Sequence, residues 1–435
     1  MTQALNVWMN GELVGRWAVD RGAHTFQYDA SWLESAHRRA LSLSLPINTS
    51  LEIKGIEVKN YFDNLLPDNE KIRSRIGRRF KAKTDTFSLL EAIGRDCIGA
   101  VQLLPEDTSP DGWNRIDCEA LSEQQVEAIL QATPSDDSLI DHDLFRISLA
   151  GAQEKTALIR YEDQWCRPHG ATPTTHIFKL PLGIIAGGGA RVNLSDSVQN
   201  EWLCAQIMTA LGLQTAATSI GVFGEQTVLI VERFDRQWMD NDSWIARLPQ
   251  EDFCQALGIS PEQKYERDGG PGTLGCLQLL QGSLDKRDTI FFLLTQLAFF
   301  LLAAPDGHAK NFSIFLQRGD VYEMTPLYDI LSAWPYMGNG PNQLNPHKAG
   351  MAMALRAKNA HYAFKDILTR HWYLLAMKNG GPTTWAAMLA LINGVDEAIA
   401  NVESQLPADF PTHTSAMIFA GMRAEAKRFL SEATS

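Results

Sequence analysis

Residues 290–311 read IFFLLTQLAFFLLAAPDGHAKN, and this stretch decides the fold. Its first part, 290–304, is an apolar run interrupted by Thr295 and Gln296. The run is shorter than the roughly 20 residues that a bilayer requires, so it predicts a buried core helix rather than a membrane span. The motif PDGHAKN at 305–311 then follows this helix directly. Charged and amide side chains in that position are costly unless they line a functional cleft.

The spacing inside this polar motif is typical of a phosphoryl-transfer loop. Four residues separate Asp306 from Asn311, as in the kinase pattern H-R-D-x-x-x-x-N. A predicted hairpin follows, and then LYDIL at 327–331. Asp329 stands there where the metal-binding aspartate of the kinase D-F-G motif would lie. The order of the two motifs predicts Asp306 as a catalytic base and Asn311 and Asp329 as Mg²⁺ ligands.

Upstream, the loop AGAQEK at 150–155 lies between two strand-like segments. Its small residues could lay backbone N–H groups against phosphates. Lys179, near the end of a third strand, could supply a charge to the same phosphates, or it is a solvated lysine. A helix is predicted from about Asp196 to Leu211, and its Glu201 could pair with Lys179 or be a surface glutamate.

Two further segments complete this pattern. Residues 232–234, where the last strand of this region ends, would form a hinge whose backbone meets adenine. His308 and Lys310 flank the predicted base. A zinc-ligand role for His308 would need His or Cys partners at ligand spacing, and the sequence has none. We expect His308 to orient the loop or to contact phosphate.

Composition narrows the function classes. The chain has 435 residues, 45% hydrophobic and 21% charged, which predicts two or three globular domains. A net charge of −12 argues against DNA binding by the whole surface. Six scattered cysteines without a C-x-x-C pair, and an N-terminus unlike a signal peptide, predict a cytoplasmic protein.

Turn-forming residues at 105–112 predict a domain boundary. We expect an N-terminal subdomain at 1–112, a kinase N-lobe at 113–247 and a mostly helical C-lobe at 248–435. The basic stretch 71–83 predicts a helix that starts near Pro67-Asp68. Its arginines form either a solvated helix face or a nucleic-acid surface.

Motifs along nearly the whole chain resemble the HipA family, the serine/threonine kinase toxins of bacterial HipBA toxin–antitoxin modules. The shared stretches are GAHTF (22–26), LSLSLP (41–46), FDNLLPD (62–68), IGRD (93–96), FRISLAGAQEKTAL (145–158), PTTHIFKLP (173–181), VERFDR (231–236), RLPQED (247–252), DGGPG (268–272), DGHAKNF (306–312) and YDI (328–330). They include the N-terminal part of the chain, which a generic kinase would not share.

This resemblance implies an α+β, two-lobed protein-kinase-like fold with an extra N-terminal α/β subdomain and a mostly helical C-terminal lobe. It implies ATP and Mg²⁺ as cofactors and the same base, metal ligands and phosphate lysine as above. Ser148 stands at the family's inhibitory autophosphorylation site. The expected nucleotide contacts are Ala150, Gly151, Ala152, Gln153, Glu154, Lys155, Lys179, Glu232, Arg233, Phe234, His308, Ala309, Lys310, Asn311, Tyr328 and Asp329.

The resemblance also implies partners. We expect a HipB-like antitoxin, operator DNA reached through the antitoxin complex, and a protein substrate such as an aminoacyl-tRNA synthetase. The basic tract 348–378 would contact the DNA backbone in that complex, or is a solvated face. Two alternatives stay open at this point: a catalytically silent, nucleotide-binding corepressor, and a small-molecule kinase of the aminoglycoside type. The latter leaves the N-terminal part unexplained.

Overall fold

The computed structural model describes residues 2–135, 147–151, 153–187, 190–356 and 359–433. The chain forms two compact units. The first unit comprises Met1–Leu180, Gly221–Glu262 and Ser313–Thr325, and the second comprises Pro181–Ile220, Gln263–Phe312 and Pro326–Ser435. Each unit is therefore assembled from segments that are distant in sequence. The three domains predicted from the sequence, 1–112, 113–247 and 248–435, stay a prediction.

The N-terminal part of the first unit is an antiparallel sheet with four helices. Its elements are β1 Gln3–Met9, β2 Glu12–Asp20, β3 Ala23–Tyr28, α1 Ala30–Glu34, β4 Glu52–Lys54, α2 Ile56–Asp63, α3 Glu70–Phe80, α4 Thr86–Ile93, β5 Asp96–Cys97 and β6 Val101–Pro105. Five strands pair in the order β4-β3-β2-β1-β6. Asn10 and Gly11, with φ of 44° and 83°, form the turn between β1 and β2. An Asn-Gly dipeptide between two strand-like segments predicts a hairpin from the sequence, and the pairing of β1 with β2 confirms it.

Aromatic side chains fill the core under this sheet. The ring of Trp17 stacks on Phe62 with centroids 4.0 Å apart, and Phe87 lies 5.0 Å from the same indole. Trp17 and Phe62 are fully buried. Such stacked pairs add to the free energy gained from apolar burial, so this part of the chain has a hydrophobic core of its own.

The middle of the chain supplies the second sheet. Its elements are β7 Cys118–Ala120, α5 Glu123–Ala132, β8 Ile147–Ser148, β9 Lys155–Tyr161, β10 Gln164–Pro168, β11 His176–Lys179, β12 Gly183–Gly187, β13 Ala190–Leu194, α6 Ser197–Ala210, β14 Thr218–Phe223 and β15 Gln226–Glu232. Six strands pair in the order β14-β15-β11-β9-β10-β7, and β12 pairs with β13. The short strand β8 instead pairs in parallel with β5.

The rest of the chain is mostly helical. Its elements are β16 Arg236–Met239, β17 Trp244–Arg247, β18 Gln250–Asp252, α7 Phe253–Ala256, α8 Thr273–Leu280, α9 Asp288–Leu301, β19 Ser313–Leu316, β20 Tyr322–Met324, β21 Gly350–Arg356, β22 Ala360–Ala363, α10 Thr369–Lys378, α11 Pro382–Asn393, α12 Val395–Glu403 and α13 Thr412–Ala433. Strands β19 and β20 form the antiparallel hairpin predicted between the two polar motifs, with β18 added on one side.

The apolar run is helix α9, as predicted. Its Phe292, Leu293 and Leu297 are fully buried, so the helix lies in the core of the second unit. Across the described ranges, every helix is too short or too polar to cross a bilayer.

The basic helix α3 differs from its prediction in two ways. It begins at Glu70 rather than near Pro67-Asp68, because the Asn69 side chain caps it by accepting the N–H of Lys71. The interpretation of its arginines as a solvated face holds only for Arg78, which is exposed; Arg79 is buried, and Arg73 and Arg75 are partly buried. Arg73 binds the Asp63 carboxylate at 2.8 Å. The partners of these arginines come from other segments of the chain, which a helix pattern does not reveal.

Candidate active site

The loop after α9 is closed by short-range hydrogen bonds. The N–H of His308 donates to the Asp306 carbonyl at 2.8 Å, and the N–H of Asn311 donates to the His308 carbonyl at 2.9 Å. The side-chain amide nitrogen of Asn311 also donates to the Asp306 carbonyl, at 2.6 Å. Because the amide is planar, its oxygen then faces away from this bond and is oriented as an acceptor or a metal ligand.

The Asp306 carboxylate is the exposed group of this loop. Its side chain is 51% exposed, whereas that of His308 is 4% exposed. Asp306 Oδ1 accepts a short hydrogen bond from the Tyr265 hydroxyl. His308 Nε2 lies 3.7 Å from the same oxygen, and the Tyr265 ring meets the His308 ring edge to face at 4.8 Å. The carboxylate is therefore accessible and oriented from one side.

The segment that carries Asp329 lies next to this loop. The Tyr328 hydroxyl donates to the Lys310 carbonyl at 2.9 Å, so direct neighbours of Asp329 and Asn311 are bonded to one another. Asp329 has a φ of 61°, which is uncommon for a residue other than glycine. Such conformations concentrate at functional sites, where the surrounding structure enforces them.

Helix α6 is tied to the same segment. Asn200 exchanges two hydrogen bonds with the backbone of Ser332, each of 2.9 Å. The next residue, Glu201, is only 5% exposed, so its prediction as a surface glutamate is wrong. Glu201 is buried because α6 is buried around most of its circumference. The predicted pairing of Glu201 with Lys179 stays a prediction.

In the first unit, the loop 150–155 connects strand β8 to strand β9. Gly151 has a φ of 108°, a conformation that favours glycine. The Lys155 ammonium donates to the Ala150 carbonyl at 2.7 Å, which closes the loop across its width. The Gln153 amide donates to the Leu180 carbonyl at 2.5 Å. Ala152, also predicted as a nucleotide contact, lies outside the described residues.

Lys179 ends strand β11 and is 5% exposed, so its alternative interpretation as a solvated lysine is wrong. It stands directly opposite Lys155 in the pairing of β11 with β9. Residues opposite each other in an antiparallel pair project to the same face of a sheet. The two lysines therefore place two positive charges on one face, beside the loop 150–155.

Ser148 is fully buried in strand β8. Its hydroxyl donates to the Leu65 carbonyl at 2.7 Å. A phosphate group on this oxygen would have no room in the position that the hydroxyl occupies, because the residue has no exposed surface there.

The segment 232–234 carries a buried arginine. The Arg233 guanidinium binds Asp235 at 2.9 Å and Asp96 at 3.2 Å, and its backbone N–H donates to the Thr175 carbonyl at 2.8 Å. The Arg233 side chain therefore serves the fold. The predicted adenine contact stays a prediction for the backbone of this segment.

Arg233 belongs to a fully buried ionic cluster in the first unit. The cluster consists of Asp96, Arg233, Asp235, Arg236 and Arg247. Burial by itself raises the pKa of the Asp235 carboxyl, but Arg233 and Arg236 outweigh burial and hold that pKa below its ordinary value. Each carboxylate is thus ionised and paired, as a buried charge requires. The members come from three of the shared stretches, IGRD, VERFDR and RLPQED.

Comparisons with known proteins decide the family. A model of the HipA N-terminal domain matches residues 5–104, and a model of the HipA-like C-terminal domain matches residues 147–404. The chain belongs to the HipA family. A Sinorhizobium fredii protein with the provisional name of kinase Y4mE is 33% identical over 413 residues, which cover 92% of each chain.

HipA from Shewanella oneidensis is similar to the chain both in sequence and in structure. The serine/threonine-protein kinase toxin HipA of Shewanella oneidensis is 28% identical over 357 residues, 77% of this chain and 76% of that one. A solved structure of HipA, HipB and operator DNA from Shewanella oneidensis MR-1 matches with a TM-score of 0.79 at 23% identity, covering 98% of this chain and 97% of that chain. The predicted kinase-like α+β fold is confirmed.

One residue of this HipA-family site was missed in the sequence. Tyr265, which holds Asp306, lies 41 residues before it and follows no recognisable spacing. Its position next to the shared stretch DGGPG was the available signal. Its contact with Asp306 depends on tertiary structure and could not be read from that stretch.

The basic tract 348–378 is as exposed as a solvated face would be. Lys348, Lys365, Arg370 and Lys378 are exposed. Arg356 binds the Glu266 carboxylate at 2.5 Å. Lys358 lies outside the described residues. Exposure of this kind is compatible with both predictions for the tract, contact with DNA or plain solvation.

Proposed function

We propose that this HipA-family chain is an ATP- and Mg²⁺-dependent serine/threonine-protein kinase, the toxin of a toxin–antitoxin pair. The observation that carries the proposal is the loop 306–311. It presents an exposed carboxylate beside an amide whose nitrogen is already bonded, so that the amide oxygen faces away from the Asp306 carbonyl. This is the pair of groups that phosphoryl transfer to a hydroxyl requires.

Asp306 is the proposed base. Its carboxylate accepts the proton of the substrate hydroxyl, while Tyr265 fixes one of its oxygens and leaves the other available. The Asn311 amide oxygen and the Asp329 carboxylate are the hard oxygen donors that Mg²⁺ prefers, so these residues fit the metal. When bound, Mg²⁺ neutralises charge on the phosphates of ATP.

The remaining nucleotide contacts are proposed for the first unit. Lys179 and Lys155 attract the phosphates, because both ammonium groups project from one face of the sheet. The loop 150–155 supplies backbone N–H groups, and the backbone of 232–234 meets the adenine. Support for these roles comes from burial of Lys179 and from the family to which the chain belongs.

Autophosphorylation of Ser148 is the proposed inhibition. Because the hydroxyl is buried against the Leu65 carbonyl, β8 must leave its place before the hydroxyl can react. A phosphate adds nearly two negative charges and three acceptor oxygens. The modified segment cannot return to a position without exposed surface, so the adjacent loop 150–155 is kept from the nucleotide.

The proposed partners are taken from a solved relative, and the proposed substrate from the family resemblance. The Shewanella oneidensis HipA structure contains HipB and operator DNA. We propose that this chain likewise pairs with a HipB-like antitoxin and represses its own operon through that complex. The net charge of −12 favours reaching DNA through a basic partner. The proposed substrate is a protein serine of the translation apparatus, such as that of an aminoacyl-tRNA synthetase.

The test is transfer of labelled phosphate from ATP in the purified chain, followed by mass spectrometry of Ser148. Wild type should phosphorylate itself at Ser148. Asp306→Asn should transfer phosphate about 10²–10⁴-fold more slowly while still binding nucleotide. Undiminished labelling in Asp306→Asn overturns the assignment of the base. A wild type that binds nucleotide and antitoxin without any transfer would support the corepressor alternative.

A further inference from the structure

The loop 150–155 is docked on the N-terminal domain by its first half. Strand β8, which leads into the loop, pairs with β5, and Ser148 stands opposite Cys97. The backbone N–H of Asp68 donates to the Gly151 carbonyl at 3.0 Å. Two N-terminal segments therefore fix the backbone at the entrance of the loop.

The second half of the loop is held through Glu154. Its backbone carbonyl accepts the N–H of Leu180 at 3.1 Å, directly beside Lys179. Its carboxylate accepts a short charge-assisted hydrogen bond from Arg75 of helix α3. Arg75 also donates to the Pro134 carbonyl at 3.2 Å, which fixes its own direction.

The ion pair is partly sheltered from water. The Arg75 side chain is 13% exposed and that of Glu154 is 29% exposed. Screening by salt is weaker for such a pair than for the exposed pairs of the surface. A hydrogen bond between two ionised groups is also stronger than one between neutral groups.

A small cavity next to this pair leaves the loop without a fully packed wall. It measures about 60 Å³ and is lined by Arg75, Ile76 and Glu154, among other residues. The apolar side chains of α3 are therefore not pressed against the whole loop. Packing of α3 against the loop is therefore incomplete beside Glu154, where the ion pair joins the helix to the loop.

We infer that Arg75 is a positioning residue for nucleotide binding: it sets the end of the loop 150–155 through Glu154, beside Lys155 and Lys179. The inference rests on the proposed function, in which this loop binds the phosphates of ATP. Helix α3 of the N-terminal domain thus contributes to nucleotide affinity without touching the nucleotide.

Hydrogen exchange tests the positioning directly. The full chain, without nucleotide, is compared with Arg75→Ala and Glu154→Gln, following peptides that cover residues 148–158. Both variants should exchange about tenfold faster in these peptides, since each removes a hydrogen bond between charged groups. Glu154→Gln leaves the bond from Arg75 to Pro134 in place, so it isolates the pair.

The matched control is Arg16→Ala, which removes another arginine–glutamate pair, Arg16 with Glu106 at 2.6 Å, on the exposed surface of the same domain. It should leave the exchange of 148–158 unchanged. If residues 148–158 exchange as slowly in Arg75→Ala and Glu154→Gln as in wild type, the inference is overturned. The inference is also overturned if Arg16→Ala speeds the exchange of these residues equally.

Kinetics test the consequence. Arg75→Ala should raise KM for ATP about tenfold and change kcat by less than about threefold, because the loop acts on binding. The exchanged pair, Arg75→Glu with Glu154→Arg, should recover most of the affinity. A fall in kcat with unchanged KM, or no recovery, contradicts the inference. If wild type binds no nucleotide, the proposed function fails, and hydrogen exchange alone then decides whether Arg75 positions the loop.

Discussion

The proposed catalytic loop 306–311 and the proposed phosphate loop 150–155 are held in opposite ways. The loop 306–311 closes on itself, through bonds that join residues two to five positions apart. The loop 150–155 and the strand before it are held by residues far away in the chain, since Arg75 and Glu154 are 79 positions apart and Leu65 and Ser148 are 83 positions apart. The comparison teaches that bonds between near neighbours close the loop 306–311, whereas the loop 150–155 depends on N-terminal segments that are distant in the chain.

The largest expected effect is on the rate of phosphate transfer, through Asp329 in the segment next to the loop 306–311. Asp329→Asn should lower kcat by about 10³-fold, because it removes a charged metal ligand worth several kcal/mol in the transition state. The measurement is the rate of phosphate transfer at saturating Mg²⁺. Folding should be retained, as judged by the thermal unfolding midpoint. Wild-type transfer in this variant would remove Asp329 from the site.

A large loss of stability is expected when the buried ionic cluster, which joins distant segments of the chain, is broken. Asp235→Ala removes one of the two carboxylates that neutralise the buried arginines of the ionic cluster, and the uncompensated charge should destabilise the chain by about 3–5 kcal/mol. Urea unfolding measures this loss. Asp285→Ala, which breaks the exposed pair with Arg287, is the control and should leave the midpoint unchanged. Equal midpoints for the two variants would mean that the cluster does not hold the first unit together.

The buried carboxyl group of Glu251 makes the stability of the chain depend on pH. Glu251 is fully buried, and burial raises its pKa to about 8 even though the N–H of Leu43 donates to it at 2.9 Å. The pKa is higher in the folded chain than in the unfolded one. The stabilising contribution is therefore complete below about pH 4.5 and is lost as the pH rises through about 8.

We therefore expect Glu251→Gln to become more stable relative to wild type as the pH rises, by a few kcal/mol at about pH 9. Denaturant unfolding at a series of pH values gives the difference between the two chains. A constant difference across the series would show that Glu251 is not protonated in the folded protein.

A smaller effect is expected from Tyr265, whose hydroxyl is a long-range contact of the loop 306–311. Tyr265→Phe removes the hydroxyl that orients Asp306 and should lower kcat about tenfold with KM for ATP unchanged. Tyr373→Phe removes an exposed hydroxyl and is the matched control. Identical rates in the two variants would indicate that the local bonds of the loop suffice to position Asp306.

The sequence predicted those parts of the fold that depend on neighbouring residues. The turn at Asn10-Gly11, the core helix α9 and the hairpin after the catalytic loop are confirmed, because dipeptide chemistry and hydrophobic runs determine them locally. The spacing of Asp306 and Asn311 predicted a loop in which the two residues are in fact bonded.

Other expectations failed because they depended on tertiary partners. Lys179 and Glu201 are buried, although polar residues at the end of a strand or on a helix surface are usually solvated. The arginines of α3 find carboxylates and carbonyls that come from other segments. The role of Arg233 was also hidden, since its partner Asp96 lies 137 residues earlier in the chain.

Calorimetric titration with a non-hydrolysable ATP analogue tests the central claim most directly. The account predicts binding in Mg²⁺, at least about tenfold weaker binding in EDTA, and a similarly weak affinity for Asn311→Ala in Mg²⁺. The absence of binding in Mg²⁺, or equal affinities in Mg²⁺ and EDTA, would contradict it.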